Sequence, residues 1–149
     1  MGVFVRKAEE KDIDLILVEL KKFSDFFDSK YPVYGSDENY NRGLILNLLT
    51  NHLFLVAEHD NNFAGFICGF ISKHIFNPEI TVMSEIFWWV VPEYRLTKVG
   101  SLLFKAYEKF GEENCQWIVM TIESISQVKP EYFLDRGYKL KEQSFLREV

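Results

Sequence analysis

The sequence contains few of the residues that break or cross-link a chain. Its 149 residues include 8 glycines, 4 prolines and 2 cysteines. So little glycine and proline excludes collagen-like and low-complexity chains. Two cysteines, Cys68 and Cys115, form neither a disulfide framework nor a metal-ligand cluster. We therefore expect a reduced, metal-free protein of the cytoplasm.

The sequence also lacks a long apolar segment and an excess of positive charge. Its longest apolar stretch, residues 64–71, is far shorter than the roughly 20 residues that a membrane-spanning helix needs. The formal net charge is −5, whereas nucleic acid binding requires clustered lysine and arginine. We expect no nucleic acid partner and no membrane insertion, and an amine or another cation is the partner that this charge favours.

Aromatic residues are the abundant class. The chain has 14 Phe, 7 Tyr and 3 Trp, within a composition that is 48% hydrophobic and 26% charged. This composition is typical of a globular protein, and the length suits a single domain over residues 1–149. So many aromatic side chains can form the core, a binding site or both.

Hydrophobic periodicity predicts alternating strands and helices. Apolar residues recur at helical spacing over residues 12–28 and 40–49. Strands are predicted over residues 3–6, 53–58, 63–74, 81–91 and 117–122. The turn at residues 59–62 joins two of these strands as an antiparallel hairpin. An unbroken apolar run over residues 86–91 indicates a central strand that is buried on both faces.

The second half of the chain adds a parallel strand pair. An apolar helical face over residues 102–110, which Gly111 should end, connects strands 81–91 and 117–122, and such a connection favours parallel pairing. A short helix over residues 130–135 and two strands over residues 138–141 and 144–147 follow. The predicted order is β-α-α-β-β-β-α-β-α-β-β, an α/β fold with a mixed sheet.

The segment from residue 90 to residue 103 is the most informative part of the sequence. It runs from the central strand through a loop into a helix, and a helix N-terminus presents unpaired backbone N–H groups that bind anions. Arg95 and Lys98 add positive charge, and Gly100 permits a close approach of a ligand. These features indicate an anion site, although an ordinary helix start has the same features.

Sequence motifs in this segment resemble those of a known family. Val-Val-Pro-Glu-Tyr-Arg at residues 90–95, followed by Gly100, resembles motif A of the GNAT (Gcn5-related N-acetyltransferase) superfamily, and residues 133–138 resemble the end of its motif B. With the first strand and the element order, the resemblance covers nearly the whole chain. It implies a mixed, mostly antiparallel sheet with a splayed parallel strand pair, flanked by helices. It also implies acetyl transfer from acetyl-CoA to a primary amine of a small molecule or a protein.

The resemblance also implies which residues contact acetyl-CoA. The loop binds the pyrophosphate, and backbone N–H groups near the end of the central strand hold the thioester carbonyl. The implied cofactor-binding residues are Trp88, Trp89, Val90, Val91, Arg95, Leu96, Thr97, Lys98, Val99, Gly100, Ser101, Ser126 and Phe133.

The chain departs from the family pattern at three positions. Lys98 replaces the first motif glycine, and Ser126 replaces an asparagine that often bonds the cofactor arm. Phe133 stands where the family has a tyrosine general acid, which makes Tyr132 the nearest phenol. Some phage-encoded members are similar in having a basic residue at the position of Lys98, and this similarity suggests a phage protein in the host cytoplasm.

A substrate ammonium must lose a proton before its nitrogen can attack a thioester, so an acid is expected near the splay. Glu85 lies within the apolar central strand, where burial should raise its pKa. Strand alternation places it on the same side as Phe87 and Trp89, provided that no bulge intervenes. A solvated or salt-bridged carboxylate is the alternative, and Glu123 on the neighbouring strand is the second candidate base.

The acceptor and the assembly are less constrained. Tyr31 and Tyr34, in an aromatic loop, are candidate substrate-binding residues, and a solvated loop with packed rings is the alternative. An exposed C-terminal strand would allow a homodimer to form.

Two other functions remain open. One is a non-catalytic module of the same fold that binds CoA or docks to a host protein, which the departures at Lys98 and Phe133 favour. The other is a nucleotide-binding α/β protein, which requires an all-parallel sheet.

Overall fold

The computed structural model describes residues 2–124 and 126–149. Within them the chain forms five strands and four helices, in the order β1 (Val3–Lys7), α1 (Ile13–Ser24), α2 (Glu38–Asn51), β2 (Leu53–His59), β3 (Asn62–Lys73), β4 (Thr81–Val90), α3 (Val99–Asn114), β5 (Trp117–Val119) and α4 (Pro130–Leu134). The strands form one sheet in sequence order. The pairs from β1 to β4 are antiparallel, and β4 and β5 are parallel. The predicted mixed α/β fold is therefore confirmed.

Helices cover both faces of the sheet. Ile16 of α1 and Ile45 of α2 pack with Val56 on one face. Leu103 of α3 packs with Ile67 on the other face, to which α4 also contributes. Both faces of β3 and β4 are thus buried, which explains the continuous apolar runs in their sequences.

A tight turn joins β2 and β3. Asp60 (φ 49°) and Asn61 (φ 66°) both adopt the left-handed conformation that two-residue hairpin turns require and that short polar side chains tolerate. The predicted hairpin is confirmed. The all-parallel sheet of a nucleotide-binding α/β protein is wrong for this chain.

A β-bulge changes the direction of side chains in β4. Cys68 pairs with Phe87, but the next residue of β3, Gly69, pairs with Glu85, so Ile86 is an extra residue in β4. The predicted placement of Glu85 on the side of Phe87 and Trp89 is therefore wrong. Because Glu85 is two residues from Met83, which packs on the α3 side, it faces α3.

Helix α3 extends beyond its predicted end at Gly111. It continues to Asn114, and a Cβ atom at Gly111 would lie 2.6 Å from Cγ1 of Ile118. The glycine therefore serves a close approach of α3 to β5 rather than a helix end.

The C-terminal strands predicted over residues 138–141 and 144–147 are absent from the described structure. After Gly137, which has a φ of +88°, the chain forms no strand, and its end contacts the loop between α1 and α2. There the backbone N–H of Lys30 donates to the Glu148 carboxylate (3.0 Å), as does the Ser29 hydroxyl. These contacts replace the ladder hydrogen bonds that the sequence pattern predicted.

None of the helices in the described ranges is long and apolar enough to cross a membrane.

Candidate functional site

The parallel strands β4 and β5 separate partway along the length of β4. Their pairing ends at Ser84 and Val119, and β4 continues to Val90 without a partner on this side. Strand β5 also ends at Val119, earlier than the predicted Ile122, because it parts from β4 at this point. A cavity of about 960 Å³ occupies the gap.

Residues from both sides of the sheet line the cavity. Phe23, Phe26 and Phe27, at the end of α1, line one end of the cavity, and the start of α3 and Tyr132 of α4 line the other. We call these the α1 end and the α3 end. The cavity therefore passes through the sheet where β4 and β5 separate.

Most of the residues predicted for the site line this cavity. They are Glu85, Trp88, Trp89, Val90, Arg95, Thr97, Gly100, Ser101, Glu123, Ser126 and Tyr132. The sequence motif and the splay thus place the same residues around one space.

The remaining loop residues point elsewhere. Val91 and Val99 are buried in the core, and the side chain of Leu96 is fully exposed. Lys98 is also exposed and does not line the cavity. None of these four residues lines the cavity as the structure describes it.

Backbone groups of β4 face the gap in alternation. The Val91 N–H donates to the carbonyl of Ala64 in β3 (2.9 Å), so the backbone groups of Val90 and Trp88 point away from β3. Arg95 confirms this direction, because its Nε donates to the Val90 carbonyl (3.1 Å). The end of β4 therefore directs backbone polar groups into the cavity.

The start of α3 supplies donors at the α3 end. The first N–H groups of a helix have no partner within it, and the Thr97 hydroxyl accepts from only one of them, that of Val99 (3.3 Å). The first turn contains no acidic residue. Gly100 and Ser101 line the cavity beside this turn. The helix N-terminus thus offers positive electrostatic potential without a competing carboxylate.

Glu85 lies where the strands separate. Burial raises the pKa of its carboxyl to about 8, a hydrogen bond from the Thr121 backbone opposes the shift, and the Glu123 carboxylate adds to it. A carboxyl with this pKa accepts a proton near neutral pH more readily than an ordinary glutamate. Glu123 also lines the cavity but is exposed to solvent.

Adjacent aromatic residues of α4 have different environments. Phe133 is buried in the α3-side core and does not line the cavity. Tyr132 does line it, and the Arg136 guanidinium lies 3.6 Å from the centre of its ring. The phenol that this chain lacks at position 133 is therefore present one residue earlier.

Trp88 forms the wall of the cavity on the α3 side. Its indole ring stacks on Phe104, with ring centres 5.3 Å apart. Its buried N–H has no hydrogen-bond partner among the described residues. Buried N–H groups without a partner are rare in native proteins.

An aromatic wall that no sequence pattern predicted lies at the α1 end of the cavity. Phe26 lies edge-on to Trp89, with ring centres 5.5 Å apart, and Phe23 lies 5.6 Å from the same ring. Helix α1 ends at Ser24, and Phe26 and Phe27 follow in tight turns. The predicted helix to residue 28 would have buried Phe27 with the helix face, so the earlier end is what brings both rings to the cavity. Three phenylalanines within five residues were the available signal.

Other cavity-lining residues were also not predicted from the sequence, because they lie at the bulge of β4 or in irregular segments around the gap between β4 and β5. They are Ile86, Thr121, Ile122, Gln127, Val128 and Lys129.

Tyr31 and Tyr34 do not line the cavity. The Tyr31 hydroxyl donates to the Val149 carbonyl, and Tyr34 packs against the core between α1 and α2. The geometry of the cavity gives no support to a substrate-binding role for either residue.

The sequence and the fold are similar to those of known proteins. A sequence model described as the Acetyltransferase (GNAT) family matches residues 20–127. A search of curated proteins by sequence found no match.

Solved structures with similar folds cover nearly the whole chain. Ribosomal-protein-alanine N-acetyltransferase from Brucella melitensis biovar Abortus 2308 superposes with a TM-score of 0.78 at 12% identity, over 100% of both chains. An acetyltransferase of Trypanosoma brucei gives 0.73 at 14% identity, over 99% of each chain. AAC(6')-Iy, in complex with the bisubstrate analogue CoA-S-monomethyl-acetylneamine, gives 0.73 at 14% identity, over 100% of this chain and 99% of that one. At these identities the similarity shows the fold.

Proposed function

The chain belongs to the GNAT family of acetyltransferases, and we propose that it transfers an acetyl group from acetyl-CoA to a primary amine of a small molecule or a protein. One observation carries the proposal. The cavity crosses the sheet between β4 and β5 and brings a helix N-terminus, backbone donors and a half-buried carboxyl to one continuous space. This space allows two substrates to enter from opposite faces and meet at Glu85.

The residues at the α3 end fit acetyl-CoA. The free N–H groups at the start of α3 suit a pyrophosphate, and no acidic side chain in that turn opposes it. The gap-facing backbone of Val90 and Trp88 suits the amide groups of the pantetheine arm.

Three groups would then perform the chemistry. Acetyl-CoA supplies an acetyl group that is activated as a thioester, so transfer forms a C–N bond and breaks the C–S bond. Glu85 accepts a proton from the substrate ammonium, which frees the nitrogen lone pair for attack. The Val90 N–H stabilises the negative charge that develops on the carbonyl oxygen. Tyr132 donates a proton to the sulfur that leaves, and the balanced products are an N-acetylated amine, CoA and one proton.

Binding and turnover are measured separately to test this proposal. In calorimetric titration and thermal unfolding, acetyl-CoA at 100 times its Kd should stabilise the protein by about 2.7 kcal/mol. Thiol release from acetyl-CoA should then depend on added amine. Failure of acetyl-CoA to bind would refute the proposal, whereas binding without amine-dependent thiol release would favour a non-catalytic CoA-binding module.

A further inference from the structure

We infer that the acceptor is a monoamine that carries an aromatic or bulky apolar group, such as an arylalkylamine. The inference rests on the proposed function and concerns the α1 end of the cavity. It depends on which side chains form that end and on which charges surround it.

The α1 end consists of aromatic and aliphatic side chains. Phe26, Phe23 and Trp89 meet edge-to-face within 5.6 Å, and Ile86 at the bulge joins them in the cavity wall. Phe26 is 50% exposed although it has a large apolar surface. A ring or a branched alkyl group entering here would cover that surface and gain edge-to-face contacts.

The Trp89 ring is fixed in position. Its indole Nε1–H donates to the buried carboxylate of Glu19 (3.0 Å), and Lys22 donates to the other oxygen of the same group (2.6 Å). Both oxygens of Glu19 are therefore engaged, and its charge is matched by Lys22. Glu19 orients the wall and does not provide a site for a second ammonium group.

Positive charge lies beside the same wall. The Arg95 guanidinium lies 4.5 Å from the centre of the Trp89 ring and 5.7 Å from that of Phe26. A polyamine or an aminoglycoside that entered from this end would bring further ammonium groups close to this cation.

The described cavity wall contains two acids, Glu85 and Glu123. Glu85 is needed at the reacting nitrogen, and Glu123 lies on the β5 side of the splay. Asp25 and Asp28 flank Phe26 and Phe27 in the sequence but do not line the cavity. The described lining of the α1 end therefore places no acid where a second cationic group would lie, and one amine on an apolar body is the chemistry that it matches.

The inference is tested with the purified 149-residue protein, acetyl-CoA and three amines. We expect kcat/KM for 2-phenylethylamine to exceed that for 1,4-diaminobutane and for kanamycin by about tenfold, since an aromatic contact contributes up to about that factor. A higher kcat/KM for either polycation would overturn the inference and leave the proposed function intact. Absence of turnover with all three amines, while acetyl-CoA still binds, would overturn the inference and leave a protein acceptor open under the proposed function.

A pair of variants locates the effect. Phe26→Ala should raise KM for 2-phenylethylamine and lower the ratio of kcat/KM for 2-phenylethylamine to kcat/KM for ethylamine, which has no ring, about tenfold. The matched control is Phe76→Ala, because Phe76 is 89% exposed and does not line the cavity. If Phe26→Ala changes the two amines equally, or if Phe76→Ala has the same effect, the aromatic wall does not select the acceptor.

Discussion

The two ends of the cavity are built from different parts of the chain. At the α3 end, backbone N–H groups of a helix start face the cavity while the side chains of Leu96 and Lys98 point away. At the α1 end, the rings of Phe26 and Trp89 form the surface. The first end thus depends on the path of the backbone, and the second depends on the identity of side chains.

This difference explains what each end can recognise. Backbone donors and a helix dipole bind an anionic group with little dependence on the local sequence. An aromatic wall distinguishes molecules by shape and charge, so we propose that the acceptor is selected at the α1 end. In the proposed reaction, Glu85 lies between the ends and accepts the proton of the amine.

Replacement of Glu85, which lies between the two ends of the cavity, should have the largest effect on activity. Glu85→Gln keeps the shape of the side chain and removes the proton acceptor, so we expect kcat to fall about 100-fold, with the Kd for acetyl-CoA unchanged. The kcat/KM of the wild type should rise with pH through about 8, where Glu85 loses its proton. That inflection should be absent from the variant, and its persistence would remove Glu85 from the mechanism.

Glu85→Gln should lower activity but raise the stability of the folded protein at high pH. Because the pKa of Glu85 is higher in the folded protein than its ordinary value of 4.5, folding favours the protonated form. The associated stability is present below about pH 4.5 and is lost as the pH rises through about 8. Thermal unfolding at pH 9 should therefore give a higher Tm for Glu85→Gln than for the wild type, and a lower Tm would contradict the burial of this group.

A negative charge at the α3 end should stabilise helix α3 but weaken the binding of acetyl-CoA. Ser101→Asp places a carboxylate in the first turn of α3, where the helix dipole stabilises it by about 0.3–1 kcal/mol. The same charge should repel the pyrophosphate and raise the Kd for acetyl-CoA at least about tenfold. Ser101→Asn is the uncharged control. Unchanged affinity in calorimetric titration of Ser101→Asp would show that the anionic group binds elsewhere.

Removal of the Tyr132 hydroxyl should have a smaller effect. Tyr132→Phe keeps the ring beside Trp88 and Arg136, and a thiolate is a fairly good leaving group because its pKa is only about 8.5. We expect kcat to fall about tenfold without a change in the Kd for acetyl-CoA. An unaltered kcat in the thiol-release assay would show that another group or water protonates the sulfur.

Truncation of an exposed loop side chain should have the smallest effect. Leu96→Ala removes a fully exposed side chain while leaving the backbone path intact, so the Kd for acetyl-CoA should stay within about twofold of the wild-type value. A loss comparable to that of Ser101→Asp would show that side chains, rather than the backbone, form the α3 end.

Local patterns predicted much of the fold. The turn at Asp60 and Asn61, the long apolar strand before Pro92 and the amphipathic face of α3 each depend on neighbouring residues. Their order then restricts the topology, since a helix between two strands favours a parallel pair. The sequence motif around Arg95 and Gly100 also consists of neighbouring residues, and it correctly indicated which part of the chain lines the cavity.

Features that depend on pairing between distant residues were not predicted. The bulge at Ile86 arises where the register between β3 and β4 shifts, and no local pattern indicates it. The extended C-terminal segment has alternating apolar residues but no partner strand in the described structure. The aromatic wall requires α1 to end at Ser24, a boundary that hydrophobic periodicity did not identify because Phe27 continued the helical spacing.

The most direct test is a mass-spectrometric assay of wild-type protein with acetyl-CoA and 2-phenylethylamine at pH 8. Our account predicts N-acetylated 2-phenylethylamine in amounts equal to the CoA thiol released, and loss of most of both products in Glu85→Gln. Binding of acetyl-CoA without any acetylated amine, from this or any other acceptor, would contradict it.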